Sequence, residues 1–286
     1  MMAEFQRAME AIILSVEENL LRNTNDLELN SMERQRIWLK PDIVNELRSS
    51  IVGQDCGCDG SGGIFKDGNI LDCSCMEKFK WTTQMLNAGI PKRYWDFDIE
   101  NDLTPRFKKE NETSIKIITK YGKNIQELTK QGVGLFIEGM GGTAKSASAY
   151  WIMKQALKQG ISCYSTRMST ISNLLRGTID NKDSEDLVLW MEDKVELLMI
   201  DEIEKDNKAS DMHSITGTWV NEFFSNIYNR NTSLIVVSNI SMKMLGSSQA
   251  ANVVDRFNEL IPVIMVGDSY RSDKRAKKLL LSKGNI

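Results

Sequence analysis

Apolar positions follow one spacing in the first part of the chain and another in the second. Phe5, Met9, Ile12, Ile13, Val16 and Leu20 recur at helical spacing, which predicts an amphipathic helix over residues 3–22. A second helical stretch begins near Ser31. A third begins near Pro41, where proline suits the first turn and Ile43, Val44 and Leu47 supply the side expected to be buried. Residues 64–70 read as a β-hairpin with a tight turn, and residues 76–87 as a helix. Residues 88–97 carry Gly89, Pro91, Tyr94, Trp95 and Phe97, a mixture that suits a linker or docking strap better than a regular element. From Thr104, a cap with Pro105 behind it, one long polar helix is expected to run past Phe107, Ile115, Ile118, Ile125 and Leu128 to Gly132.

Beyond residue 133 the pattern changes to short, mainly apolar runs at 134–138, 161–165, 195–200, 233–237 and 261–266. Such runs mark strands covered on both faces. Helical stretches separate them: 146–158 ending at Gly160, one around Leu174 and Leu175, one with Trp219, Phe223 and Phe224, and 253–257. Strands alternating with helices predict an α/β fold, a parallel five-stranded sheet flanked by helices with right-handed crossovers. The acidic stretch 178–186 is expected to be a surface loop. The reading divides the chain into a small helical, cysteine-bearing N-terminal domain (1–87), a linker with a leading helix (88–132) and the sheet domain (133–286).

Composition narrows the function classes. The chain has 286 residues and a formal charge of −3, with a pI near 5.5, so any contact with nucleic acid must come from a local patch. The most basic stretch is the tail with Lys274, Arg275, Lys277, Lys278 and Lys283. It reads as a solvated terminal helix, with phosphate-backbone contact as the alternative. Glu4, Arg7, Glu10, Glu17 and Glu18 interrupt the N-terminal apolar residues, which supports neither export nor membrane insertion, and the chain is read as cytoplasmic. In a reducing compartment the cysteines Cys56, Cys58, Cys73 and Cys75, paired at the two ends of the hairpin, favour Zn²⁺ over disulfides. An iron–sulfur cluster would use the same thiols. Four protein ligands leave no open position, so the metal would be structural. Cys163 lies in a predicted strand and reads as a small buried hydrophobe.

Residues 134–146, Gly-Leu-Phe-Ile-Glu-Gly-Met-Gly-Gly-Thr-Ala-Lys-Ser, read as strand, phosphate-cradling loop and helix start. Gly139, Gly141 and Gly142 let backbone N–H groups turn on an anion, and Thr143 and Ala144 complete the loop. Lys145 and Ser146 take terminal phosphates and Mg²⁺. Ala144 stands where this pattern has its second glycine, and its Cβ opposes a left-handed backbone. The strand at 195–200 ends in Asp201 and Glu202, which places two carboxylates at the ligand edge of a parallel sheet. Asp201 would hold Mg²⁺ together with Ser146, and Glu202 would act as general base on the attacking water. Asn239, after the strand at 233–237, could orient that water or touch the γ-phosphate. Arg256 and Arg271 are the candidates for neutralising charge on the transferred phosphoryl group, and either could equally be a surface ion-pair partner. His213 sits in a polar stretch and receives no chemistry.

These motifs together resemble the bacterial and phage replicative-helicase loaders of the DnaC and DnaI type, AAA+ ATPases close to the IstB transposition helpers. The residues that carry the resemblance are 88–93 (Ala-Gly-Ile-Pro-Lys-Arg), 139–146, 198–203 (Leu-Met-Ile-Asp-Glu-Ile), 237–239 (Val-Ser-Asn), 255–257 (Asp-Arg-Phe) and 267–271 (Gly-Asp-Ser-Tyr-Arg). The resemblance implies an AAA+ P-loop fold using ATP and Mg²⁺. It makes Lys145 and Ser146 the Walker A lysine and hydroxyl, Asp201 and Glu202 the Walker B acids, and Asn239 the sensor 1 residue. Arg271 becomes the sensor-2-like arginine, and Arg256 the finger acting on a neighbouring subunit's ATP, so self-association is implied. It also implies contact of residues 168–176 with single-stranded DNA, and a zinc-bearing N-terminal region that grips a DnaB-like helicase until hydrolysis drives release. Ala144 departs from the family pattern and bears on the rate of hydrolysis more than on binding. The alternatives are an IstB-like transposition helper and a nucleotide-gated adaptor with little hydrolysis.

Overall fold

A computed structural model of the chain describes residues 39–54, 56–66, 68–205, 215–246 and 251–267. The helices expected at 3–22 and near Ser31, His213, Arg271 and the basic tail lie outside the described residues. Among the described residues, no helix is long and apolar enough to cross a membrane.

Five strands form the central sheet: β3 (Leu135–Gly139), β4 (Cys163–Arg167), β5 (Leu197–Asp201), β6 (Ser233–Ser238) and β7 (Ile261–Met265). They run parallel in the order β4-β5-β6-β3-β7. The chain leaves β3 for the far edge, while β7 returns to the other side of β3. The connections therefore diverge at β3, and the crevice at its C-terminal end is where a ligand is expected. The register fits this role. Arg167 lies opposite Asp201, Glu138 opposite Ser238 and Gly139 opposite Met265, so the strand ends bearing the candidate residues finish together.

Alternation along each strand feeds two cores. Leu135 and Ile137, Leu197 and Met199, and Ile235 and Val237 join one cluster. Phe136, Leu198, Ile200, Leu234 and Val236 join the other. The first is closed by α6 (Lys145–Lys158) and by the short helices α3 (Pro105–Glu110), α4 (Glu112–Lys123) and α5 (Ile125–Lys130). The second is closed by α7 (Met168–Gly177), α8 (Lys182–Asp193), α9 (Ile215–Asn229) and α11 (Ala251–Phe257), the last following the short α10 (Met242–Gly246).

Two expectations change here for local reasons. The single long helix from Thr104 is three helices, broken at Asn111 and Asn124. The Asn111 carboxamide leaves the helix direction to pair with the end of β7, donating to Val266 O at 2.9 Å and accepting from Val266 N at 2.7 Å. Ser114 adds a hydrogen bond to Ile264 O at 2.6 Å, so this edge of the sheet is covered. The expected loop at 178–186 contains the start of α8, because the Asn181 side chain caps the N–H groups of Asp183 and Ser184.

Residues 88–97 form a strap along the opposite edge. Ser165 of β4 donates its N–H to Ala88 O at 2.9 Å and its hydroxyl to Gly89 O at 2.7 Å. Gly89 has φ +74°, and a Cβ there would stand 2.7 Å from Ser165 O, so the close approach needs glycine. Lys154 of α6 fastens the strap by donating to Trp95 O at 2.8 Å and to Phe97 O.

Ahead of the strap, α1 (Pro41–Ile51) leads to a hairpin of β1 (Gly63–Lys66) and β2 (Asn69–Asp72), then α2 (Ser74–Asn87). No residue of α1 is buried. Ile43, expected on its buried side, is 45% exposed, and Val44 and Leu47 are half-buried. The apolar core of this head consists of Val52, Cys73 and Cys75, with Cys56, Cys58, Met76 and Phe79 packed around it.

Candidate nucleotide site and cysteine cluster

The loop between β3 and α6 has the backbone of an anion cradle. Gly139 has φ +150°, and a Cβ there would lie 2.0 Å from Met265 O, so only glycine fits beside β7. Ala144 adopts φ 60° and ψ 11°, the left-handed conformation its Cβ opposes, at a cost of roughly 1–2 kcal/mol. Thr143 is fully buried and ties the loop by donating its hydroxyl to Met140 O at 2.9 Å. Lys145 Nζ lies inside the loop, donating to Gly139 O and Met140 O at 2.7 Å each. The lysine is thus held at the mouth of the cradle, at the start of α6, where N–H groups and helix dipole favour negative charge.

Two strands away, Asp201 meets this loop. Ser146 Oγ donates to Asp201 Oδ1 at 3.2 Å, and Glu202 N–H donates to the same oxygen at 3.0 Å. Burial pushes the Asp201 carboxyl pKa up, the Glu202 charge adds to this, and the Ser146 hydrogen bond opposes it. A hydroxyl and a desolvated carboxylate at this separation suit Mg²⁺, a hard cation that takes oxygen ligands. Glu202 is left-handed as well, with φ 55°, and its Oε2 lies 3.7 Å from Arg167 Nε. Ala144 and Glu202 are two of the three non-glycine residues with positive φ among the described residues, and both lie in this cleft. Strain gathered at one place is a mark of a functional site.

The cleft encloses about 580 Å³. Gly141, Gly142, Ala144, Lys145 and Ser146 form one side, and Asp201, Glu202 and Asn239 the floor. Gly139 and Thr143 shape the loop from behind. The far wall is made by Arg93, Tyr94, Phe97 and Arg167, none of which the motifs singled out as site residues. Tyr94 stacks on Tyr150 of α6 with ring centroids 4.7 Å apart, and the Arg93 guanidinium lies 4.7 Å from the Tyr94 ring. The one signal for this wall was the cluster of aromatic and basic residues in the strap.

Arg256 does not line this cleft. It sits on α11, donating from Nη2 to Ser225 Oγ at 2.7 Å, with its guanidinium 5.8 Å from the Tyr228 ring.

In the head, the Sγ atoms of Cys56, Cys58, Cys73 and Cys75 all lie within 4.8 Å of one another. Cys56 and Cys58 are 3.2 Å apart, and Cys58 and Cys75 3.5 Å. Zn–S bonds of about 2.3 Å in a tetrahedron place sulfurs about 3.8 Å apart, so the four thiols fit zinc with little movement. Hydrogen bonding from Cys56 and from the backbone at Gly60 lowers the Cys58 thiol pKa to about 6. Cys163 is buried in β4, where desolvation pushes its thiol pKa up.

No protein-family model matches the sequence, and no curated protein matches it. Solved structures do. The chain is similar to a DNA replication initiation factor (TM-score 0.52, 18% identity, 65% of this chain and 55% of that one). It is similar to AMPPCP-bound DnaA from Aquifex aeolicus (TM-score 0.51, 17% identity, 66% and 55%). It is also similar to the DnaC helicase loader (TM-score 0.52, 19% identity, 62% of this chain and 100% of that one). The chain spans about half the length of the first two. At these identities the likeness is one of fold, a five-stranded parallel sheet flanked by helices.

Proposed function

We propose that the chain is an ATP-dependent loader of a replicative helicase, of the DnaC and DnaI type. The observation that carries the ATPase part is the 3.2 Å link from Ser146 to Asp201, which joins the glycine loop to the acidic strand end at the mouth of one cleft. ATP entering this cleft would set its phosphates against the backbone N–H groups of residues 141–146, and Lys145 would exchange two carbonyl partners for phosphate oxygens. Ser146 and Asp201 would hold Mg²⁺, which when bound neutralises charge on the β- and γ-phosphates. Glu202, once parted from Arg167, takes a proton from the attacking water as the water oxygen bonds to the γ-phosphorus and the bond to the β-phosphate oxygen breaks. Asn239 orients that water or the γ-phosphate. Arg93, Tyr94 and Phe97 offer the base a cationic and aromatic wall.

The zinc-bearing head would grip a DnaB-like helicase, and α7, with Ser169, Thr170 and Asn173 exposed, would meet single-stranded DNA. Hydrolysis then releases the loader. Arg256, standing apart from its own cleft, suits action on the ATP of a neighbouring copy, and Arg271 would act from after the last strand. One observation favours a second reading, a nucleotide-gated adaptor: Glu202 is turned towards Arg167 on a strained backbone. Phosphate release with and without single-stranded DNA, for the chain, Lys145→Ala and Glu202→Gln, separates the two. A loader hydrolyses ATP, is stimulated by DNA and loses turnover in both variants; equal and negligible rates throughout favour the adaptor. Cosedimentation with a DnaB-like helicase tests the partner, and no association would remove the loader.

A further inference from the structure

Glu204 is a carboxylate that the hydrolytic scheme leaves without a task. It lies three residues past Asp201 on the short turn Ile203–Lys205, where Oε1 accepts from Asn239 Nδ2 at 2.5 Å and Oε2 accepts from Ser238 Oγ at 3.3 Å. Ser238 is 1% exposed, and its hydroxyl in turn accepts from Ile240 N–H at 3.1 Å. Further along the same turn, Met242 N–H donates to Glu138 Oε2 at 2.9 Å. Glu138 belongs to β3, Glu204 follows β5, and β6 lies between those two strands. The turn after β6 is therefore held by one carboxylate from each side.

We infer that Glu204 is a positioning residue that sets Asn239 for phosphoryl transfer, a role that rests on the ATPase reading above. Asn239 is itself exposed on a turn, where an unheld carboxamide samples several rotamers and both flips. An ionised carboxylate can only accept, so Glu204 requires the amide NH₂ group to face it and the carbonyl oxygen to face away. Glu204 thereby fixes both the place and the sense of the amide that lines the cleft. Glu204 does not itself line the cleft, so its loss is expected to lower turnover far more than nucleotide affinity.

The test is a double-mutant cycle on steady-state turnover, with nucleotide affinity and thermal stability measured alongside. Glu204→Ala lowers kcat by roughly 10–100-fold, the scale of a misplaced catalytic group, while the Kd for a non-hydrolysable ATP analogue stays within about twofold. Glu204→Gln recovers most of the loss, since its amide oxygen still accepts from Asn239 and its amide nitrogen can donate to the Ser238 hydroxyl. Glu204→Ala combined with Asn239→Ala is no slower than Asn239→Ala alone. Unchanged turnover in Glu204→Ala, with or without a lower Tm, overturns the inference, as does a double variant whose loss is the product of the two singles. An unaltered chain that binds ATP and never turns it over removes the ATPase reading and this role with it.

Discussion

Every residue of β6 and all but the last of β5 are buried, whereas β1 and β2 bury none. The sheet sits between two broad apolar clusters. The head has Val52 and two cysteines as its core, and leaves Phe65 and Ile70 75% and 79% exposed. Apolar burial stabilises the first region without help. The second has little of it, and four thiols close enough to share one metal ion stand in and around its core. Neighbouring parts of one chain can thus differ in what holds them, and the difference separates their responses to metal, to cavities and to charge.

Metal removal should produce the largest effect. Structural zinc contributes about 10–16 kcal/mol to the folding of small domains. A strong chelator, or Cys73→Ser, is expected to leave the head open to proteases while the thermal transition of the sheet persists. A head that stays protected without metal breaks the comparison. A cavity should act the other way round. Phe136 is fully buried beside Phe257, with ring centroids 6.4 Å apart, and Phe136→Ala should cost the sheet about 3–5 kcal/mol. Denaturant unfolding would read the loss, while bound zinc per chain stays the same.

The smallest effect has the opposite sign. Asp201 has its folded pKa raised by burial, so above that raised pKa the folded chain carries a charge that costs stability. The penalty is absent below the unfolded carboxylate pKa, grows as pH rises from there to the raised folded pKa and is complete above it. Asp201→Asn should therefore raise the Tm of the nucleotide-free chain at neutral pH and flatten its acid-range pH dependence, while abolishing Mg²⁺-dependent nucleotide binding. A lower Tm would mean that the Ser146 hydrogen bond outweighs desolvation.

The sheet was legible because four of its five strands are mainly apolar runs, and the observed ends lie within about two residues of the expected ones. The cradle and the acidic pair were legible because each is a local motif. The far wall was not, since Arg93, Tyr94 and Phe97 reach the cleft by docking a strap on β4 and α6 across long sequence separations. Nor were the breaks in the leading helix, because Asn111 and Asn124 are ordinary helix residues until an edge strand offers Asn111 better partners. Helix α8 begins in polar residues whose local signals are the Asn181 cap and the acidic Asp183 and Glu185 of the first turn. The helical spacing of α1 was read correctly, but spacing does not say what covers an apolar face, and Ile43 is exposed.

Whether a triphosphate occupies the cleft is tested most directly by calorimetric titration of Mg·ATP into the folded chain, beside Lys145→Ala of matched thermal stability. A saturable heat at one site per chain, lost in the variant, is the result expected. No heat from the folded chain, or the same heat from both proteins, would contradict it.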